Sequence, residues 1–247
     1  MQDYSYQLYS SRKFGPLHDT LAMLAELGFR YVEGFGDLLG EAGLAAALGK
    51  AGLQMPTVHL DLETIEARPE AVISFAHKLG IRQIHAPFLA PADRPSDSAG
   101  WCSLGQRLAA AGRPLRAAGL EFGWHNHDFE FRPCADGRHP IDCILDADDR
   151  LILELDIAWV QAAGADPFSW IDRLAGRIGA VHVKDIAPAG SCLDEDGWTD
   201  VGHGIMDWQR LSAAIDRTGA AYRVLEHDNP GDDRRFARRS LAAARAF

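Results

Sequence analysis

The sequence predicts an α/β protein built as a closed (β/α)8 barrel, with a single domain spanning residues 1–247. Three observations lead there. Short apolar runs alternate with amphipathic stretches through the whole chain, at about 30 residues per unit, the length of a βαβ crossover. Glycine or proline punctuates most junctions, as helix stops and turns require. The runs read as strands finish repeatedly on a titratable residue: Glu33, His59, His85, His125, Asp156, His182 and Glu226.

The elements follow in order. Tyr4–Leu8 is an aromatic-rich strand, and Leu17–Leu27 a helix with Leu17, Leu21, Leu24 and Leu27 on one face and Gly28 as its stop. Arg30–Glu33 is a strand, Leu38–Ala51 an Ala/Leu helix closed by Gly52, and Gln54–His59 the third strand. Pro69–Leu79 is a helix, Arg82–His85 a strand, and Ala90–Gly100 a Pro/Asp/Ser loop long enough to lie over a site. Ser103–Ala118 is a helix before the fifth strand, Leu120–His125. Pro140–Asp146 is a short helix, Leu151–Asp156 a strand, Pro167–Leu174 a helix and Ile178–Val183 a strand. Met206–Thr218, Tyr222–Glu226 and Asp232–Ala246 complete the pattern as helix, strand and helix. An open doubly wound sheet is the competing arrangement. It usually carries GxGxxG after its first strand, where this chain has SSRKFGP. No linker or shift in composition marks a second domain.

Composition narrows the partners. The formal charge of −10 repels phosphate backbones, so no nucleic-acid partner is expected. The C-terminal RRFARR reads as a solvated outer helix. The four cysteines lack CxxC spacing, which fits a reducing compartment. The N-terminus has no signal-peptide pattern and no run approaches a membrane span. The expectation is a cytoplasmic protein with a small-molecule partner and no membrane partner, and a homo-oligomer is compatible with it.

Active sites of this barrel lie where the strands end. The fifth strand runs into the most concentrated cluster, His125, Asn126, His127, Asp128 and Glu130 within WHNHDFEF. In an extended segment His125 and His127 share a face. Four consecutive late strands supply His125, Asp156, His182 and Glu226, close enough on the rim to converge on one ion. Two imidazoles and two carboxylates suit Mn²⁺, Co²⁺, Zn²⁺ or Fe²⁺ better than Mg²⁺, and such an ion polarises a substrate oxygen as a Lewis acid. Glu154 shares a strand face with Asp156, and either acid is a candidate; Asp156 is taken because it lies nearer the rim. Structural explanations compete: a core histidine at His125, an N-cap at Asp156, a solvated lysine at Lys184. Lys184 is the candidate for holding a substrate oxygen, and His59 and His85 for sugar hydroxyls on the opposite quadrant. Glu33 reads as a structural acid paired with an arginine. Trp159, Trp198 and Trp208 follow late strands, where aromatic faces suit sugar C–H surfaces and ordinary packing alike.

These motifs together resemble the xylose-isomerase-like TIM barrels, specifically the sugar phosphate isomerase/epimerase group. The resemblance rests on YSYQLYSSR, WHNHDFEF, ELDIAWVQAAGADP, VHVKD, VGHGIMDW and VLEHD, in that order along nearly the whole chain. It implies one divalent metal, most often manganese, with Co, Zn, Fe or Mg as other possibilities, held by His125, Asp156, His182 and Glu226. In ketose epimerases of this group the strand-five ligand is a glutamate, and two metal-bound glutamates exchange protons on opposite faces of an enediolate. Here that position is His125, so the symmetric pair is broken. Glu226 remains as base, with His127 or Glu130 left to relay the second proton.

The function expected is therefore a metal-dependent isomerase or epimerase of a sugar or keto-sugar. Its catalytic residues would be Glu226 and His127, and its substrate contacts His59, His85, Lys184, Glu130 and Trp159. The alternative is a lyase, dehydratase or hydratase acting on a keto-sugar, keto-glycoside or inosose. An endonuclease IV-like nuclease and a non-catalytic sugar-binding barrel stand behind both. No Gly-rich phosphate loop or late-strand Arg/Lys cluster is present, which favours an unphosphorylated substrate.

Overall fold

A computed structural model describes residues 3–247. The barrel strands are β1 (Ser5–Gln7), β2 (Tyr31–Gly34), β3 (Gln54–His59), β4 (Gln83–Ala86), β5 (Glu121–His125), β6 (Ile152–Asp156) and β7 (Ile178–Val183). A short antiparallel pair, β8 (Asp185–Ile186) and β9 (Trp198–Thr199), interrupts the series before β10 (Tyr222–Leu225). All barrel pairings are parallel, and β10 closes the ring between β7 and β1. The helices are α1 (Leu17–Leu27), α2 (Leu44–Ala51), α3 (Leu62–Ala67), α4 (Pro69–Leu79), α5 (Ser98–Ala117), α6 (Pro140–Leu145), α7 (Ile157–Ala162), α8 (Pro167–Leu174), α9 (Trp208–Asp216) and α10 (Asp233–Ala244). The closed (β/α)8 arrangement expected from the alternation is thus observed.

Alternation along each strand separates two environments. Outward side chains such as Val58, Ile84, Phe122, Leu153, Leu155 and Val181 are fully buried against the helices and form the apolar core. The inward positions carry Gln7, Glu33, Thr57, His59, Gln83, His85, Glu154 and His182, all buried as well. A barrel interior is ordinarily packed with branched apolar side chains. Here its upper part is polar and titratable, so the desolvation cost concentrates where the strands end.

Local sequence explains where the elements differ from expectation. The helix expected from Leu38 starts at Leu44, because Gly40 and Gly43 sit at φ +96° and +86°, outside the helical region. The loop expected through Gly100 ends at Ser98, because Asp97 caps α5 by accepting the Gly100 N–H at 2.8 Å. Helices α3 and α7 have six residues each, too few to show a helical period. Gly123 lets β5 approach β6: a Cβ there would lie 1.8 Å from the Ile152 carbonyl oxygen. That approach sets His125 opposite Glu154 in the register. Among the described residues no helix is long and apolar enough to cross a membrane.

Candidate metal and proton-transfer site

A cavity of about 430 Å³ opens at the C-terminal ends of the strands. Its floor is formed by His59, His125, His182 and Glu226, with His127 and Trp159 on the wall and Tyr9, Phe35 and Phe88 toward the mouth. Each floor residue ends a strand or lies within one residue of its end, so strand register alone places it.

Three buried groups there lack partners of their own. Asp156 Oδ2, His182 Nδ1 and Glu226 Oε2 make no hydrogen bond. Asp156, His182 and Glu226 offer ligand atoms that all lie within 4.8 Å of one another. Burial raises the Asp156 carboxyl above its ordinary range. Glu226 is pushed up to about 7, by burial first and then by the charge of Asp228, while Lys184 pulls it down. The unpaired atoms and their donor types, two carboxylates and an imidazole, fit a divalent cation. His125 stands beside the trio, its ring centroid 4.5 Å from that of His182. Its Nδ1 is also without a hydrogen bond, 3.1 Å from Glu154 Oε2.

Lys184 is a buried cation rather than a solvated one, 1% exposed. It hydrogen-bonds Asp228 and lies 2.9 Å from Glu226 Oε2, off the direction of a hydrogen bond. Its Nζ sits 4.0 Å from the Trp198 ring centroid and 4.9 Å from that of Trp159. Burial disfavours the ammonium, but Asp228, Glu226 and Asp156 outweigh it and hold Lys184 charged. The same pairing keeps Asp228 below the usual carboxylate range despite its burial. One carboxylate of this pair is therefore a weak base and the other, Glu226, a stronger one.

Neighbouring residues fix these groups. Asn126 clamps β5 to β6: its Oδ1 accepts the Asp156 N–H at 3.0 Å and its Nδ2 donates to the Asp156 carbonyl at 3.1 Å. Asp156 Oδ1 accepts the Trp159 N–H at 3.0 Å and so caps α7, leaving Oδ2 free. Asp185 gathers the N–H groups of Ile186, Gly202 and Met206 and the Trp208 indole N–H. It thereby organises the loop that carries Trp198 over Lys184.

The sequence-derived candidates separate in space. His125, His127, His182, Glu226, His59 and Trp159 line the cavity, and Asp156 lies buried behind them. His85, Glu130 and Lys184 do not line it; Lys184 lies buried behind Glu226 and Asp228. Glu130 is buried in the wall, where its oxygens accept the Trp124 indole N–H at 2.8 Å and the His127 N–H at 2.9 Å. Burial pushes its carboxyl up to about 8. His127 is pushed down to about 3, chiefly by burial, so its imidazole is neutral. Trp208 is held by Asp185 and stacks on Phe247. The arginine expected beside Glu33 is absent among its partners. Glu33 Oε1 instead accepts from Gln7 Nε2 at 2.7 Å and lies 2.7 Å from His182 Nε2. Asp228, which the sequence reading passes over, follows Glu226 by two positions beyond β10, and Glu154, the acid set aside in favour of Asp156, lies buried two positions before it on β6.

A family model described as "Xylose isomerase-like TIM barrel" matches residues 21–247. The chain belongs to this family. Solved structures of similar fold include a sugar phosphate isomerase/epimerase from Parabacteroides distasonis, 19% identical, with a TM-score of 0.83 and coverage of 98% of this chain and 92% of the other. A probable 3-DHS dehydratase, AsbF, from Bacillus anthracis is 15% identical, with a TM-score of 0.73 and coverage of 98% of both chains. The IolI protein with a bound zinc atom is 15% identical, with a TM-score of 0.74 and coverage of 99% and 96%. No match is found among curated proteins. At these identities the likenesses establish the family's barrel and nothing finer.

Proposed function

We propose that this family member is a divalent-metal-dependent isomerase or epimerase of a sugar or keto-sugar, acting by removal and return of a proton beside a carbonyl. The observation that carries the reading is the trio Asp156, His182 and Glu226, which bring ligand atoms within 4.8 Å of one another at and just behind the cavity floor, with Asp156 Oδ2, His182 Nδ1 and Glu226 Oε2 free of hydrogen bonds. With His125 as fourth donor, this set suits Mn²⁺, Fe²⁺, Co²⁺ or Zn²⁺. A bound ion supplies Lewis-acid polarisation of the substrate's carbonyl.

The chain's own groups do the rest. Glu226, buried at the cavity floor with Lys184 beside it, takes the proton α to the carbonyl. Lys184 sits beside it and stabilises negative charge developing on the substrate oxygens. His127, neutral and with a free Nδ1, suits a hydrogen bond to a hydroxyl better than proton carriage. Trp159 offers an aromatic face to a sugar ring. Of the two carboxylates beside Lys184, Asp228 is held by it, which leaves Glu226 as the base. A single base working on one face of an enediolate favours isomerisation over two-base epimerisation. The same base can begin a β-elimination, and the likeness to a probable dehydratase supports a lyase as the second reading. Product mass separates the two by loss of water.

The test is a keto-sugar and aldose panel incubated in D₂O with Mn²⁺ and with chelator, read by NMR. The expected result is metal-dependent deuterium incorporation at one carbon next to the carbonyl. Turnover with neither solvent exchange nor transfer of a substrate label between adjacent carbons overturns the reading.

A further inference from the structure

One layer deeper in the barrel, a second group of side chains takes no part in the proposed reaction. We infer that Glu33, His59, His85 and Glu154 form a second divalent-cation site that reaches from His59 at the cavity floor into the barrel interior. The four come from β2, β3, β4 and β6 and share no residue with the Asp156, His182 and Glu226 trio. Their ligand atoms all lie within 4.8 Å of one another.

His59 Nε2 hydrogen-bonds Glu154 Oε2, but four other polar atoms of this layer have no partner. Glu33 Oε2, Glu154 Oε1 and both ring nitrogens of His85 have no hydrogen-bond partner. Glu33, His85 and Glu154 are 0% exposed, so bulk solvent does not compensate them. A buried polar group without a partner is costly, and a buried charge more so. Among the described residues, no lysine or arginine pairs with either carboxylate; their charged neighbours are histidines alone. A dication satisfies both needs together, because it neutralises two carboxylates and takes the imidazole lone pairs. Two nitrogens and two oxygens select Zn²⁺, Fe²⁺ or Co²⁺ over Ca²⁺ or Mg²⁺.

The surroundings hold the first acid in place. The Gln7 amide donates to Glu33 Oε1 at 2.7 Å, and Gln7 Oε1 accepts the Tyr9 N–H at 3.1 Å. Register sets His59 directly opposite His85 on β4. The two rings lie edge to face with centroids 6.2 Å apart, an arrangement in which both can direct a nitrogen to one point. Bridging water is the rival explanation for unpaired buried groups, and it predicts no added metal.

The site stands apart from the sugar reading, and metal stoichiometry tests it without any substrate. The chelator-stripped protein is titrated with Zn²⁺ by calorimetry, and bound metal is then measured by elemental analysis. We expect two ions per chain in the wild type, and one in His85→Gln, in Glu33→Gln and in Asp156→Asn. Circular dichroism confirms that each variant is folded, and the wild-type stoichiometry itself needs no variant. A wild type saturating at one ion that both quartet variants retain overturns the second site. If the quartet variants lose an ion and Asp156→Asn does not, the deeper site stands and the outer trio falls.

Discussion

Replacing Glu226 by Gln is expected to lower kcat by about 10³-fold, within the range a positioned general base contributes. Gln matches the shape of Glu, and Lys184 keeps its hydrogen bond to Asp228, so the fold should survive. The wild-type rate should rise with pH as Glu226 ionises, and a bound dication places that rise below the value of about 7 that burial and Asp228 give the metal-free carboxyl. The residual rate of the variant should lack this rise. Metal content measured on the same sample separates the two roles of Glu226. A slow variant that holds its metal has lost a base, and one that has lost metal has lost a ligand. A variant that keeps more than about a tenth of the wild-type rate contradicts the assignment.

Lys184→Met is expected to destabilise the protein by about 3–5 kcal/mol, the typical cost of removing one partner from a buried ion pair. For a domain of this size that corresponds to a fall in Tm on the order of 10 °C. Methionine fills the stem's place but leaves Asp228 and Glu226 without their cation at the cavity floor. The loss should depend on pH with a defined sign. Removing Lys184 removes the influence that lowers the Glu226 pKa, which is already above its ordinary value, so it rises further. A carboxyl whose folded pKa is raised contributes stability that is present below its unfolded pKa and lost as pH rises through the folded one. The gap between wild type and variant should therefore be wider at pH 8 than at pH 5 in denaturant unfolding. Equal gaps at both values would contradict the buried-pair description.

The legible part of this molecule in its sequence was whatever strand position controls. Period-two alternation and the placement of active sites at strand ends were enough to nominate His59, His125, His182 and Glu226, and the cavity floor contains all four. Contacts between distant elements were not legible. The sequence suggests an arginine beside Glu33, whereas the closed barrel brings it to His182, 149 residues away. No pattern within the second strand carries that information. Side-chain direction was equally hidden. Asp156 caps a helix through Oδ1, as the structural reading has it, and its Oδ2 stays free for the proposed ligand role. Lys184 reads in sequence as a rim lysine, and only the loop organised by Asp185 buries it under Trp198. Glu130 looked like part of a polar cluster because it follows His127 closely, but the turn at Phe129–Phe131 directs it into the wall.

The proposed chemistry depends most on the outer trio and His125 holding a divalent ion. Elemental analysis of the wild type beside Asp156→Asn and His125→Ala, all purified and loaded with Mn²⁺ in the same way, tests this directly. Asparagine still caps α7, so the Asp156 variant isolates the ligand role from the structural one. The expected result is that each variant holds one ion per chain fewer than the wild type. Metal content unchanged in both variants would contradict the site on which the proposed chemistry rests.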